Sequence, residues 1–215
     1  MKNLDHLLQL PNPWHGNVFT DHPRGLPTGF EELDNHLPER GWTQAGLTEL
    51  LVTRDGIGAL QLLLPALARL SRQPRWIAWI APPVIPYTPA LEAAGVDISR
   101  LLRVYPRGVH NGMATVEACL RAGTCSAVLA WPLAGEAQWL RRLQRAALQG
   151  NTWGVLFRPD SQAKRPSPVA QRMRIAGTPE GMTVACCDVC GRSDDESVEL
   201  SFDRLLEPWA GSRLS

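Results

Sequence analysis

The segment TRDGIGAL at residues 53–60 follows a short apolar run that predicts a strand, which is where alternating strand–helix proteins bind phosphates. A loop for nucleoside triphosphates has the pattern G-x-x-x-x-G-K-[ST], because its lysine neutralises phosphate charge and its hydroxyl holds magnesium. Here Thr53 occupies the first glycine position and Gly58 the last. Ala59 and Leu60 replace the lysine and the hydroxyl. The loop therefore predicts no ATP hydrolysis, and we expect no cofactor.

Basic side chains are concentrated in the middle of the chain. Residues 100–174 carry twelve basic and three acidic side chains, although the whole chain has 22 basic and 21 acidic ones. Contacts from such side chains to phosphates are independent of base sequence and sensitive to salt. We expect the block to contact DNA or a partner protein, and a solvated helix face is the alternative. The candidate residues are Arg141, Arg142, Arg145, Arg158, Lys164, Arg165, Arg172 and Arg174, together with Trp209 after the last predicted strand.

Three cysteines lie close together near the C-terminus, at Cys186, Cys187 and Cys190. A structural zinc site commonly uses two C-x-x-C pairs, and this chain has one such pair and five histidines far upstream. We therefore expect thiols on a strand and no metal. The chain also lacks a G-x-S-x-G elbow, so we expect no catalytic residues and no enzyme activity.

The elements that position these residues alternate along the chain. Apolar runs separated by helical stretches of ten to fifteen residues indicate a mainly parallel sheet with helices on both faces. Short runs after Met173 predict antiparallel strands at the C-terminal edge of this α/β fold. The predicted parallel strands are 47–52, 76–81, 101–105, 126–131 and 153–158. The predicted organisation is an extended arm at 1–27, a core domain at 28–203 and a tail at 204–215.

Composition excludes several classes of protein. The 215 residues are 44% hydrophobic and 20% charged, which is too apolar for a disordered chain. No apolar run approaches the length of a membrane span, and the N-terminal apolar stretch is too short for a secretory signal. We therefore expect a cytoplasmic protein with no membrane partner.

Longer segments of the chain resemble the core of RecA recombinases. TGFEELDNHLPERGW, LTELL and WIAPPVIPYTPALEAAGVDISRLL carry the resemblance, which covers roughly residues 28–158. It implies a RecA-like fold in which Pro83 takes the place of a catalytic glutamate and Trp131 that of a metal-associated aspartate. With Ala59 and Leu60, four positions needed by an ATPase are then changed together.

Within the RecA-like proteins, the chain is similar to the SulA/ImuA family. The segments GLTELL, RDGIGALQLLLPALARL, RWIAWIAPP, AVLAWP and GVLFRP carry this likeness, and LPTGFEELDNHLP favours the ImuA branch. That branch implies a non-enzymatic adaptor of SOS-induced translesion DNA synthesis and mutagenesis in bacteria. Its implied partners are an ImuB-type relative of Y-family polymerases, an error-prone replicative-type polymerase and RecA, with DNA in addition. The alternative is a SulA-like cell division inhibitor that binds FtsZ and blocks its polymerisation.

Overall fold

The computed structural model describes residues 25–53, 58–131, 137–187 and 193–205. Most of the predicted N-terminal arm, Cys190 and Trp209 lie outside these residues. Leu26, assigned above to the arm, forms a β-bridge with Trp42. Leu205, assigned to the tail, is buried. The packed core therefore extends past both predicted domain boundaries.

Eight strands of the described ranges form one sheet, in the order β3-β2-β4-β5-β1-β6-β7-β8. The first six run parallel, and β7 and β8 add antiparallel pairs at one end. The strands are β1 (Gly46–Val52), β2 (Trp76–Ile80), β3 (Leu101–Val104), β4 (Cys125–Ala130), β5 (Trp153–Pro159), β6 (Gln171–Thr178), β7 (Gly181–Cys187) and β8 (Ser193–Ser201). The helices are α1 (Glu31–His36), α2 (Leu64–Ser71), α3 (Thr88–Ala93), α4 (Val109–Arg121) and α5 (Ala137–Gln149).

The central strands are buried on both faces because helices cover each side of the sheet. Every residue of β1 and β4 is buried. Leu33 of α1 and Leu67 of α2 pack on one face, and Leu120 of α4 and Leu143 of α5 pack on the other. The predicted mixed α/β class, with a mostly parallel sheet and an antiparallel C-terminal edge, is confirmed.

The segment between β1 and β2 enters its helix through a tighter turn. A 3-10 turn at Gln61–Leu63 leads into α2, and Pro65 lies in the first turn of that helix. Proline is tolerated there because the first N–H groups of a helix have no intrahelical acceptor. Each of the longest described helices, α4 and α5, has 13 residues, and no described helix is long and apolar enough to span a bilayer.

The two outer strands of the sheet differ in the charges around them. β3 is flanked by Arg100 and contains Arg103, and Arg107 follows shortly after it. At the other end, Glu199 on β8 and Asp203 just after it are exposed. One edge of the sheet is therefore basic and the other carries exposed acids.

Candidate protein-binding site

Aromatic side chains fill the position after β4 that the predicted RecA-like fold assigns to a metal-associated aspartate. Trp131 is buried and stacks on Phe157, with ring centroids 4.4 Å apart and planes 5° apart. Trp79 of β2 lies 5.6 Å from Trp131, centroid to centroid. The carboxyl ends of β2, β4 and β5 are thus joined by ring packing, which stabilises the sheet.

The loop after β1 also packs as part of the core where it is described. Ala59 is buried, and Leu60 contacts the same apolar cluster. Gly58 has φ +81°, and a Cβ there would collide with the Gln61 side chain. Thr53 and Pro83, the remaining positions at which the sequence predicts a lost nucleotide site, are exposed.

Two arginines of the predicted contact surface are inside the protein. Arg158 on β5 and Arg172 on β6 flank Glu49 on β1, and their side chains are 6% and 2% exposed. Nε of Arg172 lies 2.8 Å from Oε2 of Glu49, and the Arg158 guanidinium pairs with Oε1. Both guanidiniums thus face one buried carboxylate and lie away from the surface, an arrangement that the predicted contact with DNA or a partner did not include.

The segment after β5 is bound to the protein by further arginine contacts. Nη2 of Arg172 donates to the carbonyl oxygen of Gln162 at 2.8 Å, and Nη1 donates to that of Ala163 at 3.2 Å. Nε of Arg174 donates to Oδ1 of Asp160 at 2.6 Å. Arginines predicted to contact DNA or a partner instead hold their own loop in place. Lys164 and Arg165 are exposed on that loop.

The basic face of α5 is exposed, as the helical pattern suggests. Arg142 is partly neutralised, because its Nη2 lies 2.7 Å from Oε2 of Glu117 and its guanidinium lies 4.4 Å from the Trp139 ring centroid. Arg141 and Arg145 are exposed on the same helix. Their role in binding remains a prediction.

The cysteines of β7 show no features of a metal site. Cys186 and Cys187 are partly buried, and burial raises the pKa of Cys187, which favours the thiol over the metal-binding thiolate. No cluster of three or more metal-ligating side chains occurs among the described residues.

A more prominent surface lies at the β3 end of the sheet, and sequence reasoning missed it. Val84, Ile85 and Tyr87 follow β2 and are 72%, 74% and 73% exposed. Leu102 on β3 is 43% exposed, and Tyr105 just after it is 57% exposed. A group of large apolar side chains left in water is typical of a protein-interaction site. We call these five residues the apolar edge.

Backbone geometry fixes the position of the apolar edge. The N–H of Ala81 donates to the carbonyl oxygen of Val104 at 2.9 Å, so the chain leaves β2 alongside the end of β3. Ala81 has φ +52°, which turns the chain sharply. A groove then forms between the two segments, lined by Pro82, Pro83, Val84, Ile85, Arg103 and Tyr105. The sequence signal was the PPVIPY run, whose apolar residues lie among prolines and so outside any strand or helix.

Comparison with known proteins identifies the family. The family model described as cell division inhibitor SulA matches residues 46–154. A cell division inhibitor SulA of Pectobacterium carotovorum is 32% identical over 134 residues, covering 60% of this chain and 77% of that protein. One from Yersinia pestis is 30% identical over 165 residues, covering 76% and 92%. A crystal structure of SulA from Pseudomonas aeruginosa is 28% identical, covers 52% of this chain and 97% of that one, and gives a TM-score of 0.44.

These relatives overturn the preference for the ImuA branch. The expectation of a translesion-synthesis adaptor, with ImuB-type and error-prone polymerase partners and RecA, is wrong, because the matched family and the named relatives are SulA. The segment LPTGFEELDNHLP, which carried that preference, lies before residues 46–154, which the family model matches. By its family match and by its identity to these relatives, the chain belongs to the SulA family.

Proposed function

We propose that this protein is a non-catalytic inhibitor of bacterial cell division that acts in the cytoplasm during the SOS response. Its target is FtsZ, whose polymerisation it blocks by binding a subunit face, and it uses a RecA-like core as a scaffold. Relatives that carry the name cell division inhibitor support the process. The observation that carries the binding role is the apolar edge.

The apolar edge suits a protein partner energetically. Burying one exposed valine, isoleucine or aromatic side chain contributes about 1.5–3 kcal/mol, so covering several of them supports a stable complex. Val84 and Ile85 stand between Pro83 and Pro86, whose fixed φ angles limit backbone freedom before binding. A pre-organised segment loses less conformational entropy on association, which favours affinity.

Inhibition through this surface needs no chemistry on the partner. FtsZ forms polymers by contacts between subunits, so a protein bound to one subunit face competes with the next subunit. Assembly-dependent GTP hydrolysis then falls together with polymer mass. This mode predicts inhibition that follows the molar ratio of the two proteins and needs no DNA.

The test is an FtsZ assembly assay by light scattering, with GTP hydrolysis measured in parallel. The variant Ile85→Ser removes a side chain of the apolar edge, and Leu148→Ser removes another exposed apolar side chain from α5 as a control. We expect Ile85→Ser to raise the half-inhibitory concentration by about 10-fold, corresponding to about 1.4 kcal/mol, and Leu148→Ser to leave it unchanged.

Two results would contradict the proposal in different ways. Normal FtsZ assembly in the presence of excess wild-type protein would reject the function. Equal inhibition by wild type and Ile85→Ser would reject the apolar edge as the binding surface and direct the search to α5.

A further inference from the structure

A basic strand lies beside and within the apolar edge, and two of its arginines have no partner among the described residues. The segment RLLRVYPR at residues 100–107 has three arginines and no acid. Arg103 lines the groove together with Ile85 and Tyr105. Arg107 is exposed two residues beyond Tyr105. Cations therefore lie within and beside the most exposed apolar side chains of the described structure.

Two of these arginines differ in their partners from five arginines elsewhere in the described structure. Arg142, Arg158, Arg172, Arg174 and Arg204 each form an ion pair with a described carboxylate. The side chains of Arg103 and Arg107 form no ion pair or hydrogen bond with a described residue, and both are exposed.

The third arginine of the segment has a nearby acid. Hydrogen bonds from Ser99, and to a smaller extent the charge of Arg100, lower the pKa of Asp97. Arg100 thus lies near an acid of its own chain. Arg103 and Arg107 are the two charges of this edge left for a partner.

We propose that Arg103 and Arg107 bind carboxylates on the FtsZ surface that the apolar edge covers, and so determine which acidic surface is recognised. The proposal rests on the function proposed above. A partner that covers Val84, Ile85 and Tyr105 also removes water from Arg103, and an unpaired guanidinium in such a place is costly. A carboxylate removes that cost by accepting two parallel N–H bonds from the planar guanidinium.

The surroundings favour an acidic protein surface over a nucleic acid. Phosphate backbones are bound by tracks of cations in polar, hydrated surfaces. Here Arg103 lines a groove with Val84, Ile85 and Tyr105, and a phosphate backbone would leave these apolar side chains uncovered. Protein interfaces combine these features, since arginine and tyrosine are enriched at their centres.

The experiment measures binding of purified FtsZ to the full chain by biolayer interferometry at low and high salt. The test variant is Arg103→Gln with Arg107→Gln, which removes both charges and keeps most of the side-chain length. The matched control is Arg69→Gln with Arg72→Gln, which removes two exposed arginines from α2 and the residue after it. A third variant, Arg103→Lys with Arg107→Lys, keeps charge and loses the planar fork.

We expect the test variant to weaken binding at least about 10-fold at low salt, with most of its salt dependence lost. The Arg69 and Arg72 control should bind like the wild type, and the lysine variant should recover the salt dependence and only part of the affinity. Since all these positions are exposed, thermal unfolding of the variants should match that of the wild type.

The outcomes separate this inference from the proposed function. Absence of FtsZ binding by the wild type would reject the function and the inference with it. Wild-type binding with unchanged affinity and salt dependence in the Arg103 and Arg107 variant would overturn the inference alone. A parallel titration with fluorescent duplex DNA tests whether the two arginines bind a nucleic acid. Loss of DNA binding in the test variant, with FtsZ binding intact, would also overturn the inference.

Discussion

Arg158 and Arg172 lie in the centre of the sheet, whereas Arg103 and Arg107 lie at its edge, although all four belong to the same basic stretch of sequence. The central pair surrounds Glu49 and is almost fully buried. The edge pair is exposed beside apolar side chains and has no described acid to bind. The difference shows that the acid available to an arginine, more than the number of basic residues near it in sequence, determines whether it stabilises the fold or is left for a binding partner.

Removing the shared acid should give the largest effect on stability. Glu49→Ala leaves two guanidiniums buried without their carboxylate, which we expect to cost about 3–5 kcal/mol of unfolding free energy. Urea unfolding followed by circular dichroism measures it. As a control, Glu180→Ala in an exposed turn should change stability by less than about 0.5 kcal/mol. A loss below about 1 kcal/mol for Glu49→Ala would show that the buried charges are not a structural unit.

Replacing arginine by lysine should have an intermediate effect on the free energy of unfolding in the central pair and none in the edge pair. Arg172→Lys keeps a charge near Glu49 but loses the Nη donors to Gln162 and Ala163, so we expect a loss of about 1–3 kcal/mol. Arg103→Lys should leave the free energy of unfolding unchanged. The same urea titrations test both. If both variants unfold alike, the assignment of one arginine to the fold and the other to a partner is contradicted.

The smallest expected effect on the free energy of unfolding comes from Glu39, a half-buried acid next to the hydroxyl of Thr43. Burial raises the pKa of Glu39, and a hydrogen bond with Thr43 offsets this only in part. Because the folded pKa is raised, the stabilising contribution is complete below the ordinary value of 4.5 and is lost as pH rises through the folded pKa. Glu39→Gln should therefore gain stability relative to wild type on going to neutral pH, by about 0.5 kcal/mol or less.

The pH dependence itself is the readout for Glu39. The unfolding free energies of wild type and Glu39→Gln are measured at several pH values. The variant should become more stable relative to wild type as the pH rises toward neutral. A constant difference across the range would show that the carboxyl titrates normally and that its burial carries no cost.

The parallel core was predictable and the arginine pairing was not, for a physical reason. Strands buried on both faces are continuous apolar runs, and this signal identified β1, β2, β4 and β5 from local sequence alone. Glu49 and Arg158 are 109 residues apart in the chain and meet only because β1 and β5 are neighbours in the sheet. No local pattern distinguishes such an arginine from an exposed one such as Arg141.

The apolar edge was missed because its residues have no periodicity. Val84 and Ile85 lie between prolines, so neither a strand nor a helix pattern marks the side that faces water.

The preference for ImuA failed for a related reason. Leu26 bridges to Trp42, and Phe30 and Leu33 are buried, so the segment that carried the preference packs against the core. The apolar residues of this segment are therefore explained by its packing against the core.

The exposed charges described at the two ends of the sheet are opposite in sign, which gives this part of the protein an electric dipole along the sheet. With strands about 4.8 Å apart, β3 and β8 are separated by about 34 Å along the sheet. The field of an acidic partner exerts a torque on such a dipole and turns Arg103 and Arg107 forward, away from Glu199 and Asp203. At physiological salt this alignment acts within about 8 Å, so it operates in the last stage of diffusional approach. The encounter is thereby oriented before any side chain of the apolar edge touches the partner.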